Sequence, residues 1–419
     1  MAKIVPFRGL RYNPDKVGIA DVVTKPYDKI SVTEQDEYYS QSPYNIVRLI
    51  LGKQFDSDTD TDNRYTRAAN FLADWLNKKV IIKEEKPVLY LYDQDFEADG
   101  GKLMTRRAVV GLGEVVPYSD KIVFPHEKTL SGPKKDRLAL SEATKTQFGH
   151  IFMLYKDEKN GVNSMLDNVS RQTPLYRVED KNGLVHKLWI VEDSDLLESV
   201  CSMMMDKKLL IADGHHRYET ALNMRVQRGD KYKYHLMSFV NIYDPGLLIR
   251  PTHRIIKNIE PDKMSGLRGE MEKFFDFEKI PSTEFNPSDL NGIEFGFYDG
   301  SDLYLIALKD KTVLKEKMSV GKPDSWYEMP IAVLHELILE GMLGIDKEKL
   351  ASQVNVNYAE TVCAGMGMVD NDIHQAGFFV NATPIEQVCD VAFSGNTMPQ
   401  KSTDFYPKIH TGLVFNKID

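Results

Sequence analysis

The strongest constraint on the fold is a junction near the middle of the chain. Leu209-Leu210-Ile211-Ala212 is an apolar run of strand length, Asp213-Gly214-His215-His216-Arg217 follows with no linker, and residues 218–227 have helical spacing. A strand that turns tightly into a helix is a building unit of α/β sheets. It is also an anion site, because glycine permits the sharp turn and the first N–H groups of a helix lack partners within it. His215, His216 and Arg217 add donors there, and a guanidinium can grip a phosphate with two hydrogen bonds. Asp213 stands at the carboxyl end of the strand, where ligand sites of α/β sheets lie. The plainer alternative makes Asp213 a helix cap and the histidines surface residues. Adjacent histidines do not suit a metal on a helix, which needs ligands at i and i+4.

Similar patterns recur on both sides of this junction. Apolar runs at 3–7, 88–92, 108–112, 151–155, 187–191, 235–242, 247–249 and 376–380 predict strands, with Gly100-Gly101 as a turn. Tyr65, Ala68, Leu72, Trp75 and Leu76 recur at three- and four-residue intervals and predict a helix. Further helices are expected over 195–205, 329–343 and from Pro384 onward. The mixture indicates an α/β or α+β fold with mixed sheets. Three parts are expected: an N-terminal α+β region 1–110, a central core 111–258, and a C-terminal α+β domain 259–419 whose tail returns to the site.

Charge and cysteine usage narrow the function. Lys plus Arg number 53 against 62 Asp plus Glu, a net −9 that disfavours non-specific binding to a nucleic-acid backbone. Cys201, Cys363 and Cys389 are odd in number and have no paired spacing, so neither a disulfide framework nor a zinc ribbon is expected. No signal-peptide pattern opens the chain, and no stretch approaches the roughly 18 apolar residues of a membrane span, so a cytoplasmic protein is expected. Several signatures fail residue by residue. Asp56, Asp58 and Asp60 begin like a calcium loop, but Thr61 stands where glycine is required. His335-Glu336 and His126-Glu127 lack the second histidine of a zinc protease helix, and no phosphate loop of the Gly-Lys-Ser/Thr type occurs.

Other constellations carry chemistry of the right kind. His126-Glu127-Lys128-Thr129 lies between Pro125 and Gly132, with Asp136-Arg137 just beyond. Dense polar groups on a loop bounded by Pro and Gly suit an active-site loop and equally an ordinary surface loop. Thr252-His253-Arg254 follows an apolar strand, and Lys401, Ser402, Thr403 and Lys408 near the C-terminus would again suit an anion.

Six ordered segments together resemble the bacterial and archaeal family of domain of unknown function 1015: Lys25-Pro26-Tyr27-Asp28, Tyr44-Asn45-Ile46-Val47-Arg48-Leu49, the His126 loop with Asp136-Arg137, the Asp213 turn, Pro251-Thr252-His253-Arg254, and residues 398–407. Within it, Asp213-Gly214-His215-His216-Arg217 is similar to the phosphate-binding turn of the ParB/sulfiredoxin superfamily. Free-serine kinases of that superfamily carry Asp-Gly-His-x-Arg, which this sequence fits. Partition proteins have Gly-Glu-Arg-Arg, and sulfiredoxins need a cysteine absent here.

The resemblance implies a ParB/sulfiredoxin-like central core. It also implies phosphoryl transfer from ATP or ADP, with Mg2+, to a small hydroxylated metabolite, free L-serine being the first choice. On that reading Gly214, His215, His216 and Arg217 hold phosphates. Thr252, His253, Arg254, Lys401, Ser402, Thr403 and Lys408 complete the nucleotide site. Asp213 binds magnesium or orients the hydroxyl, Glu127 is the general base with His126 beside it, and Tyr27, Asp28, Lys128, Thr129, Asp136 and Arg137 contact substrate. A nucleotide-binding switch without turnover and a phosphoester hydrolase are the alternatives. The expected partners are a nucleotide and a small molecule, with a homodimer allowed and neither membrane nor nucleic acid.

Overall fold

The apolar runs of the first 250 residues become one mixed sheet. The structure is a computed structural model that describes every residue except 99, 128–131, 372 and 419, and describes 132–134 by backbone only. Nine strands join: β1 (Ile4–Val5), β2 (Leu89–Ala98), β3 (Lys102–Glu114), β4 (Val123–Pro125), β5 (Ile151–Tyr155), β6 (Tyr176–Glu179), β7 (Val185–Val191), β8 (Leu209–Asp213) and β9 (Tyr234–Asn241). Their order is β4-β8-β5-β9-β3-β2-β7-β6, with β1 beside the far end of β3. The β4–β8 and β5–β9 pairs are parallel and the remainder antiparallel.

The inner strands read as unbroken apolar runs because both faces are covered. Leu91, Val109, Ile151, Met153, Ile211 and Phe239 share a core cluster with Leu166, Val200 and Met204, from helices Gly161–Ser170 and Ser194–Met204. Helix α1 (Arg64–Asn77) arises where spacing predicts it, capped by Asn63, and buries Ala68, Leu72 and Trp75. Two further helices, α2 (Gly132–Thr144) and α3 (His215–Arg228), flank the junction described above.

The chain divides into two units. The first comprises Met1–Pro125, Thr129–Leu248 and Pro407–Asp419, and the second His126–Lys128 and Ile249–Tyr406. The boundary expected at residue 110 falls inside β3, which is hydrogen-bonded on both sides, so the segments around it share one sheet. In the second unit, β10 (His253–Ile256), β11 (Phe275–Ile280), β12 (Glu294–Tyr298), β13 (Leu303–Leu308), β14 (Val356–Ala359) and β15 (Ala376–Phe379) form an antiparallel sheet in the order β11-β13-β12-β15-β10-β14.

Two helical expectations shift. The helix expected from Tyr218 begins three residues earlier, at His215, because Gly214 adopts φ +95° and closes the turn there. The helix expected over 329–343 is α-helical only at Pro330–Val333 and continues as a π-helix at Leu334–Met342, where Leu343 N–H reaches back five residues to the Ile338 carbonyl. Among the described residues no helix is long and apolar enough to cross a membrane, and no disulfide joins the three cysteines.

Tyr218 fastens α3 to the loop after β3. Fully buried, it accepts from Val116 N–H at 2.9 Å and donates to the Val116 carbonyl at 2.8 Å. Tyr218→Phe leaves both backbone groups buried and unpaired, and urea unfolding should show a loss of about 1–3 kcal/mol.

Candidate functional site

At the end of β8 the ladder to β5 slips between Ile211 and Asp213, a bulge that re-aims the aspartate. One Asp213 carboxylate oxygen accepts from Gly214 N–H at 2.9 Å, and the other lies 3.3 Å from the Arg217 guanidinium. Burial favours the protonated acid, yet Lys408, Arg217 and His215 hold its pKa well below the ordinary carboxylate range. Asp213 is therefore an anion ringed by cations.

Arg217 is placed by what is missing around it. A Cβ on Gly149 would lie 2.9 Å from one terminal nitrogen of the guanidinium, and a Cβ on Gly214 would lie 2.8 Å from its Nε. A side chain at either glycine would push the guanidinium aside. Two buried histidines stand nearby. The His150 ring contacts Ser238 Oγ at 2.7 Å and the Val414 carbonyl at 2.9 Å, so Nε2 carries the proton and Nδ1 accepts from the hydroxyl. Burial, with Arg217 adding repulsion, pulls the pKa of His150 and of His235 down to about 4, so both are neutral.

A cleft opens beside this group, lined by Arg217, His235, Gln147, Thr411, Tyr27 and Arg137 among others. The Arg137 guanidinium stacks 3.7 Å above the Tyr27 ring. Asp136 is engaged beneath, accepting from Arg137, from Tyr65 Oη at 2.8 Å and from Arg64 at 2.7 Å. Burial opposes the ionised form of Asp136, but these partners keep its pKa below the usual value. Asp28 is exposed on the same short turn as Tyr27.

The expected site residues thus sort into two groups, one per unit. The first unit holds Tyr27, Asp28, Asp136, Arg137, Asp213 to Arg217 and Lys408. The second holds His126, Glu127, Thr252, His253, Arg254, Lys401, Ser402 and Thr403, while Lys128 and Thr129 lie outside the described residues. In the second unit, His126 is fully buried and meets Thr403 Oγ1 at 2.7 Å, and its carbonyl accepts from Met398 N–H. Glu127 accepts from Ser402 N–H at 3.2 Å. Arg254 is buried and donates to the carbonyls of Thr252, Gln400 and Lys401 and to His335 Nε2 at 3.1 Å. His253 is buried as well, and burial beside Arg254 lowers its pKa to about 4. Within that unit these side chains knit residues 398–403 to the loop at His126.

Sequence reasoning passed over Gly149, His150, Gln147, His235 and Thr411. Gly149-His150 immediately before an apolar strand was the available signal. The others sit in ordinary strand or loop surroundings and gain meaning only from neighbours far away in sequence.

The family described as "Protein of unknown function (DUF1015)" matches residues 4–331. The chain belongs to this family. No curated protein matches it. Among solved structures, a conserved hypothetical protein from Pyrococcus furiosus is 14% identical, with 74% of this chain and 95% of that one covered at a TM-score of 0.37. A free serine kinase in complex with AMP is 12% identical, covering 73% and 92% at 0.37. SbnI with C-terminal truncation from Staphylococcus aureus is 11% identical, covering 72% and 84% at 0.37. Likeness at this level carries no inference about chemistry.

Two outcomes follow from the geometry. Gly214→Ala forces an L side chain into the left-handed region and against Arg217, and should cost roughly 1–2 kcal/mol in urea unfolding. The second concerns acid. The folded pKa values of His150 and His235, about 4, lie below the unfolded value of about 6.5, so the unfolded chain takes protons first as pH falls. Their contribution is complete above pH 6.5 and is lost between about 6.5 and 4. Urea midpoints measured across that range should fall less steeply in His150→Gln than in the unsubstituted protein.

Proposed function

We propose that the protein is a nucleotide-dependent phosphotransferase that moves a phosphoryl group from ATP or ADP to a small hydroxylated metabolite, free L-serine being the first candidate. The observation that supports this most is the turn at the start of α3. There the N-terminus of α3, a guanidinium seated against two glycines and an ionised aspartate meet at the end of β8. The Asp-Gly-His-x-Arg form of the turn, shared with free-serine kinases, points the same way.

Phosphoryl transfer is mostly positioning and charge neutralisation. Gly214, His215, His216 and Arg217 are assigned to the phosphates, and Lys408, beside Asp213, adds positive charge. Tyr27 and Arg137, lining the same cleft, are assigned to the acceptor. Asp213 orients its hydroxyl or supplies the carboxylate for Mg2+. An ionised Asp213 fits that ion, which commonly takes one or two carboxylates plus phosphate oxygens. Bound Mg2+ would offset charge on the transferring group. The acceptor oxygen forms the new P–O bond as the bridging P–O bond to the leaving nucleotide breaks, and the hydroxyl proton passes to solvent.

The test is phosphorus NMR of the full chain with Mg2+, ATP or ADP, and a pool of free amino acids and polyols. A new phosphomonoester resonance is expected, formed about 10²–10³ times more slowly by Arg217→Ala. Removing pool members one at a time names the acceptor. Inorganic phosphate as the sole product would make the protein a hydrolase, and unchanged nucleotide would overturn turnover altogether.

A further inference from the structure

A second polar cluster lies in the first unit, outside the groups assigned above. Among the described residues, Asp180, His186 and His410 bring one ligand atom each to within 4.8 Å of one another. Asp180 follows β6, His186 belongs to β7, and His410 comes from the C-terminal segment. The two imidazoles stack with centroids 3.7 Å apart, and His410 Nε2 lies 3.6 Å from Asp180 Oδ2.

We propose that Asp180, His186 and His410 bind a divalent transition-metal ion, Zn2+ foremost, and that the ion ties the C-terminal segment to the β6–β7 hairpin. This assignment is independent of phosphoryl transfer.

Three features carry it. First, the cluster holds polar atoms that nothing satisfies. His186 is 1% exposed and His410 8%, and neither His186 Nε2 nor His410 Nδ1 has a hydrogen-bond partner. Buried nitrogens left in that state are rare and call for a reason. A cation seated among the three groups takes up the His186 Nε2 lone pair.

Second, the ligands are already oriented. His186 Nδ1 sits 2.6 Å from the buried Tyr92 hydroxyl, the kind of outer partner that metal-binding histidines use to fix the tautomer and the ring. One Asp180 oxygen accepts from Asn182 N–H at 2.8 Å and Leu184 N–H at 3.0 Å, which turns the other oxygen toward His410.

Third, the donor set suits the ion. Two imidazoles and a carboxylate are zinc ligands, and the 20% exposure of the Asp180 side chain leaves an entry path and a place for water as fourth ligand. The Arg106 charge nearby works against a cation and sets a limit on affinity, while Asp180 works the other way.

The test strips the full chain with a chelator, returns Zn2+, and measures bound metal by mass spectrometry and titration calorimetry. Co2+ serves as the spectroscopic probe. A single tight equivalent is expected, with visible ligand-field bands for Co2+ and a rise in Tm on adding Zn2+. Asp180→Asn keeps an oxygen for the two N–H groups and so keeps the fold, but should lose the Tm rise and the bands. Tyr92→Phe should weaken Zn2+ binding about 10- to 100-fold. His410→Gln should abolish binding, and if that variant does not fold, Asp180→Asn with the Co2+ spectrum of the unsubstituted chain decides. Failure of the unsubstituted chain to take up a stoichiometric ion would overturn the proposal, as would undiminished binding by Asp180→Asn.

Discussion

A buried guanidinium governs how the first unit is completed. Arg106, on the long strand β3, is 1% exposed, lies 4.6 Å over the Phe152 ring, and donates to Gln94 Oε1 and to the Pro407 carbonyl. Gln94 in turn donates to the Lys408 carbonyl at 2.9 Å. A charge this deep is costly unless it is engaged, and here the chain's last segment supplies one of its acceptors, the Pro407 carbonyl. That segment then supplies a bridge to Thr24 through Thr411, an acceptor for His150 through Val414, and the cation beside Asp213 through Lys408.

Electrostatics separates this cleft from the molecule as a whole. The chain carries a net −9, yet Asp213 is met by Lys408, Arg217 and His215. Net charge bears on long-range encounter, whereas a cleft is set by the few groups that face it, where water is partly excluded and charges interact more strongly. His150 and His235 stay neutral in this setting, so they add donors and acceptors without further positive charge.

Much of the fold was legible because it rests on local pattern. The runs at 151–155 and 209–212 are strands and the Trp75 spacing is a helix, since period and apolarity decide these at short range. The turn at Asp213 was legible for the same reason: glycine, polar donors and a following helix are adjacent in sequence. Arg254 shows the limit. Its residue type suggested an anion contact, but in the structure its guanidinium meets the Gln400 and Lys401 carbonyls, a role no local pattern encodes. The π-helical turns at 334–342 were equally hidden, because the sequence there has ordinary helical periodicity.

The first unit is discontinuous in sequence, with Ile249–Tyr406 placed between its sheet and its closing segment. On the ribosome, the turn at Asp213 therefore emerges long before Lys408 does. Domains tend to fold as units while synthesis proceeds. The second unit can mature while the first still waits for its final strand contacts. Until the closing segment arrives, Arg106 has no Pro407 carbonyl to meet and Asp213 has no Lys408 beside it. The anion turn thus gains its full set of charges only once Lys408 has emerged, so a chain cut before residue 408 would carry the turn without the lysine that faces it.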